Sequence, residues 1–179
     1  MAAVTTVAAA AIVQLGAAVL RVPAAEVTDL QSDDTRKDIA VMRASLAETQ
    51  GVGLAAPQIG ISKRIIIVAS RPTARYPNAP LMSPTVMLNP SYQPCSESKE
   101  KGWEGCLSVP SIRALVPRYL DIGIRYYSEQ GELVTANLQG FVARVFQHEY
   151  DHLEGMVYLD RVEDSLDIVA ESEYFRQQM

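Results

Sequence analysis

The sequence predicts an α+β fold in which short antiparallel β-sheets pack around one central helix, within a single compact domain. Three observations carry this expectation. Segments rich in β-branched and aromatic residues cluster ahead of a late amphipathic stretch instead of alternating with helices, the pattern of segregated sheets and helices. From Phe141 to Leu153 the chain has neither Pro nor Gly, and Val142, Val145, Phe146, Glu149 and His152 recur at helical spacing. The length of 179 residues suits one domain of ordinary size.

Taken in order, residues 1–13 are expected to form an N-terminal extension and residues 14–179 the folded body. The opening MAAVTTVAAAAIVQLGAAVL carries no basic residue before Arg21, whereas secretory and organellar leaders are positively charged early. Thr5, Thr6, Gln14 and Gly16 also interrupt it too often for a membrane span. Ser32, Asp33 and Asp34 offer caps for a helix through Ile39, Met42 and Leu46, stopped by Gly51 and Gly53. RIIIVAS then reads as a buried strand. An excursion over residues 71–84, with Pro72, Pro77, Pro80 and Pro84, leads to the short strand TVMLN and suits a lid or a long loop. IRALV, LDIGIRYYS and ELVTANLQ read as antiparallel strands, with a turn at Glu129 to Gly131. After the Phe141–Leu153 helix, a weak stripe of Leu166, Val169 and Ala170 predicts a last helix from about Asp164 to Gln178.

Composition excludes some functions. A formal net charge of -5 and a pI near 5.1 oppose a broad nucleic-acid-binding face. With 48% hydrophobic and 21% charged residues, a packed core is expected rather than extensive disorder. Two cysteines, Cys95 and Cys106, are too few for a disulfide scaffold and point to a reducing cytoplasm. Cys95 is expected to be a small buried hydrophobe.

The chemistry concentrates in HEYDH. A helix stacks His148 and His152 on one face, one turn apart, close enough to hold one divalent ion. Glu149 lies beside the pair, where its carboxylate can serve as a general base. These are the chain's only two histidines, and a chance scatter rarely spends both on one motif. A third ligand is required. The extended motif with a third histidine fails at Tyr158. Glu163, Glu171 and Glu173 are available for a zinc endopeptidase, and Cys106 in GWEGCLSVP is the other option.

Three segments in order, GVGLAAPQIG (51–60), EGCLSVP (104–110) and QHEYDHLEG (147–155), resemble the peptide deformylases. The resemblance implies hydrolysis of the N-formyl group from the formyl-methionine of nascent polypeptides, with formate released. It makes Cys106 the third metal ligand, with His148 and His152. It favours iron(II), replaceable by zinc, nickel or cobalt, for a site of one sulfur and two nitrogens. It gives Gln58 and the backbone N–H of Leu107 the developing oxyanion, and Glu149 the proton transfers. Val52, Gly53, Gly105, Arg113, Phe141 and Val145 are expected around the substrate, Arg113 against its backbone or carboxylate. Gly51 and Gly53 suit backbone positions where a side chain would clash or φ is positive. Glu104 and Arg118 are expected to support the ligands. Nascent chains are the expected partners, the ribosome near its exit tunnel a further one, with neither nucleic acid nor membrane bound. A non-catalytic binder of formylated chain ends is the remaining alternative.

Overall fold

A computed structural model of the chain describes residues 7–73 and 76–177. Residues 1–6 of the expected extension, two residues of the proline-rich excursion and the last two of the tail lie outside them. Helix α1 (Asp33–Ala47) starts where the acidic caps predict, with the Ser32 hydroxyl accepting the Thr35 N–H at 3.1 Å. Its buried face is Ile39, Met42 and Leu46.

One antiparallel sheet has the order β1-β2-β3-β6-β7, built from Gly53–Ala55, Ile65–Ser70, Met82–Pro94, Asp121–Tyr127 and Leu133–Gln139. All of β2 is buried because its two faces meet different partners. Ile66 and Val68 pack with Phe146 and Leu153, while Ile65 and Ile67 pack with Ile39, Met42 and Leu46 of α1. That two-sided burial explains why RIIIVAS reads as an unbroken apolar run rather than an alternating one. Helix α2 (Gly140–Leu153) covers the face opposite α1.

A second sheet, β4-β5-β8, pairs Lys99–Cys106 with Val109–Tyr119 and then Ile168–Ala170. Cys106 pairs with Val109 across the tight turn made by Leu107 and Ser108, so the cysteine ends its strand at the tip of a hairpin.

The structure corrects several expectations. Strand β3 runs far beyond TVMLN, through Pro84, Pro90 and Pro94, because its register shifts between Leu88 and Ser91 and Pro90 falls in that irregularity. Strand β4, KEKGWEGC, was not anticipated: only Glu104 in it is fully buried, so it carries no apolar signature. The expected last helix starts only at Glu171, as α3 (Glu171–Gln177). Before it the β-branched pair Ile168 and Val169 joins β5 as β8. Cys95 is exposed, just past the end of β3, rather than buried. No helix among the described residues is long and apolar enough to cross a membrane.

Phe146 is fully buried between the sheet and Tyr92 and Tyr150. Phe146→Ala should therefore destabilise the fold by about 3–5 kcal/mol, read as a lowered urea midpoint.

Candidate active site and metal centre

Helix α2 buries four polar side chains, Gln147, Glu149, Asp151 and His152, at positions that an ordinary core helix would fill with apolar residues. One turn apart on it, His148 and His152 meet Cys106 from the β4–β5 hairpin. One donor atom from each of the three lies within 4.8 Å of the others. Cys106 Sγ is 3.3 Å from His152 Nε2 and also accepts the Ser108 N–H at 3.4 Å. Burial alone would push the Cys106 thiol up, but His152 and His148 hold it well below the usual thiol range, in the form that binds a cation.

His148 is oriented from behind. Its Nδ1 meets Glu104 Oε2 at 2.8 Å, which leaves Nε2 as its free donor. Glu104 in turn accepts two bonds from Arg118, at 2.9 and 3.0 Å, and one from Arg144 at 3.0 Å. Burial opposes ionisation of Glu104, yet the Arg118 guanidinium and the His148 contact keep its carboxyl well below the ordinary range. Arg118 also bonds Asp151 on α2, which pairs with Arg161. Such a carboxylate behind a histidine fixes the ring and raises its basicity as a ligand.

Two polar atoms of this cluster, Glu149 Oε2 and His152 Nδ1, are buried without a hydrogen-bond partner among the described residues. Native proteins rarely leave such atoms unpaired. A sulfur and two imidazole nitrogens with an adjacent unsatisfied carboxylate oxygen fit a divalent cation and the water it carries. Burial, against the opposing pull of His148 and His152, raises the Glu149 carboxyl to about 7. It faces Gly53, where an added Cβ would lie 2.3 Å from Glu149 Oε1. Close approach, not positive φ, is therefore what requires glycine there; Gly51 likewise has no positive φ and lies under Leu107.

Gln58 sits on the 3-10 turn Ala56–Ile59, buried. The Ala55 N–H donates to its Oε1 at 2.8 Å, which turns Nε2 toward Ser108 Oγ at 3.4 Å and Cys106 Sγ at 3.5 Å. A cleft of about 260 Å³ opens beside the cluster, lined by Gln58, Cys106, Leu107 and His148. Val52, Gly53, Gly105, Arg113, Phe141 and Val145 line it too, so every residue expected around a substrate is brought to one cavity. Arg113 is buried, not exposed: it donates to Glu171 Oε1 at 2.8 and 3.0 Å and to the Tyr76 hydroxyl at 3.1 Å. The Tyr76 ring packs at a tilt against Phe141 with centroids 4.7 Å apart, bringing the proline-rich excursion to the cleft. The other carboxylates considered as ligands are engaged elsewhere, Glu163 with Lys101, Glu171 with Arg113 and Glu173 with Arg176.

Sequence reasoning missed Arg144, Ser108 and Tyr76. Arg144 lies one turn before His148, on the same helix face. A cation four residues before a histidine on a predicted helix was the available signal.

The profile of the polypeptide deformylase family matches residues 9–167 of this chain. The chain belongs to that family. Among similar proteins, peptide deformylase 2 of a Nostoc species is 48% identical over 163 residues, 91% of each chain. Peptide deformylase 2 of Shewanella oneidensis is 47% identical over 148 residues, 82% of this chain and 81% of that one. A Met-Ala-Ser-bound class I type b peptide deformylase from Acinetobacter baumannii superposes with a TM-score of 0.84 at 42% identity, covering 87% of this chain and 99% of that one. An actinonin-bound peptide deformylase from Synechococcus elongatus gives a TM-score of 0.76 at 34% identity, covering 87% and 80%. The α+β architecture and the metal-dependent hydrolase class are thus those of the family.

Arg118→Ala should cost about 3–5 kcal/mol, because Glu104 and Asp151 lose their shared buried cation. Glu104 contributes stability that is complete above its unfolded pKa of about 4.3 and is lost as the pH falls toward its depressed folded value. Urea melts at decreasing pH should show stability declining below about pH 4, with a shallower decline in Glu104→Gln.

Proposed function

We propose that this chain removes the N-formyl group from formyl-methionine at the start of nascent polypeptides, releasing formate and a free amine. The convergence of Cys106, His148 and His152 beside the cleft carries the reading. In this reading Cys106, His148 and His152 hold one divalent cation, iron(II) in the cell and replaceable by zinc, nickel or cobalt. When bound, that ion lowers the pKa of a water to near 7 and polarises the formyl oxygen.

Glu149 takes the proton of the attacking water and delivers it to the leaving amine. Its carboxyl, raised to about 7 by burial, supports this role, because a group near neutrality can both accept and release a proton. Gln58 Nε2 donates to the formyl oxygen as it becomes an oxyanion. Its Oε1 is already tied to the Ala55 N–H, so the amide cannot flip without losing that bond. The Leu107 N–H, in the hairpin turn next to Cys106, is the second donor.

Val52, Phe141 and Val145 form an apolar pocket for the unbranched methionine side chain. Gly53 and Gly105 keep the cleft wall open; at Gly105 an added Cβ would lie 2.7 Å from Arg113 Cζ. Arg113, aimed by Glu171 and Tyr76, presents its charge to the peptide backbone beyond the first residue. Nascent chains emerging from cytoplasmic ribosomes are the substrates, so work near the exit tunnel suits the activity.

Formate release from formyl-Met-Ala-Ser, measured after anaerobic purification and reloading with each metal in turn, tests the reading; no release with any metal would end it. Glu149→Gln should keep its metal and lose at least 90% of turnover, since a missing general base typically costs about 10²–10⁴-fold. Cys106→Ser should lose tight metal binding, read by metal stoichiometry after dialysis.

A further inference from the structure

The two donors assigned to the formyl oxygen come from different parts of the fold. Gln58 lies on the turn after β1 in the larger sheet, and Leu107 in the β4–β5 hairpin of the smaller one. Two donors stabilise one oxyanion only if both lie about 3 Å from it, so their relative placement is a requirement of the chemistry. The hydrogen bonds between the donor segments themselves are long, with Gln58 Nε2 reaching Ser108 Oγ and Cys106 Sγ at 3.4 and 3.5 Å, and Leu107 adds only apolar packing against the cluster that holds Ala56 and Ile59.

A third segment is bonded to both. The Val13 N–H donates to the Gln58 carbonyl at 2.9 Å, and two residues later the Leu15 N–H donates to the Ser108 carbonyl at 2.8 Å. Between them, Gln14 Nε2 donates to the Leu107 carbonyl at 3.3 Å. The segment is itself anchored, since the Ala10 N–H donates to Ser45 Oγ of α1 at 2.9 Å and Ile12 packs against the core cluster beneath α1. Alternate backbone N–H groups of an extended chain point the same way, so Val13 and Leu15 span the gap between the donor turns as a strand edge would.

We propose that Ala10–Leu15 is a positioning strap that sets the distance between the Gln58 amide and the Leu107 N–H, and so tunes transition-state stabilisation without touching the substrate or the metal ligands. The proposal rests on the reading of Gln58 and Leu107 as oxyanion donors. It assigns work to residues expected from composition to be largely an extension. Gln14, whose side chain is exposed, is in this view a positioning residue.

The test compares Val13→Pro and Leu15→Pro, which each delete one donating N–H, with Ala11→Pro, whose N–H bonds neither turn. Gln14→Ala removes the side-chain tie. Steady-state kcat and KM for formyl-Met-Ala-Ser are measured with metal stoichiometry and Tm on the same preparations. A misplaced donor weakens the transition state more than the ground state. Hence kcat should fall on the order of tenfold in the Val13 and Leu15 variants, with KM, metal stoichiometry and the Ala11→Pro control close to wild type. Gln14→Ala should show a smaller loss, again in kcat alone. An unchanged kcat in the Val13 and Leu15 variants, or a loss that tracks metal stoichiometry or Tm, overturns the strap. If the proline variants do not fold, Gln14→Ala decides, and an unchanged kcat there overturns it. Wild-type protein that releases no formate would instead refute the deformylase reading itself, so the two failures are distinguishable.

Discussion

The site depends on one buried carboxylate. Glu104, near the end of edge strand β4 in the smaller sheet, accepts both prongs of Arg118, one bond from Arg144 and the Nδ1 side of His148. Placing a carboxylate where it is 3% exposed is unfavourable unless every lone pair finds a donor, and here they do. Because the guanidinium fork donates to a carboxylate in a preferred two-pronged geometry, the contact favours the observed register of β5 against β4. Arg118 carries the constraint onward to Asp151 on α2. The hairpin that bears Cys106 and the helix that bears both imidazoles are thereby locked to each other by charge, where apolar packing alone would tolerate some sliding.

Space around these charges is made by omission of side chains. At Gly53 the room is taken by the Glu149 carboxylate, at Gly105 by Arg113 and at Gly102 by Arg144, each closer than 3 Å to where a Cβ would be. Three glycines thus face three charged groups that must stay dry and fixed. Arg144 also bonds the carbonyls of Glu100, Gly102 and Val116, so it knits β4 to β5 while it steadies Glu104.

Much of this was legible in the chain. The stacking of His148 and His152, the position of Glu149 beside them, α1 with its Ser32 cap and the buried run of β2 all follow from local periodicity, which a single sequence displays. The role of Cys106 did not follow from spacing. Its partners lie more than forty residues away, and only the resemblance of ordered motifs chose it over three glutamates. Strand β4 was invisible because it is held by cross-strand bonds and by Arg144 and Arg118, not by an apolar face. Strand β3 was truncated in prospect because three prolines normally argue against a strand, and the register shift that accommodates Pro90 has no local signature. The first thirteen residues read as an extension since their composition is bland; the segment's bonds to the donor turns are made mostly by the backbone, which every sequence shares.

The match to the family's profile ends at Asp167, and β8 begins at the next residue. Those three residues hydrogen-bond along β5, and the residue after them, Glu171, reaches into the cleft mouth to hold Arg113. This short stretch therefore does double duty, screening a row of peptide groups that would otherwise be open to pairing with another chain and holding a buried cation at the cleft. Losing it would bare that edge and release Arg113 in one stroke, while Cys106, His148 and His152 kept their own supports.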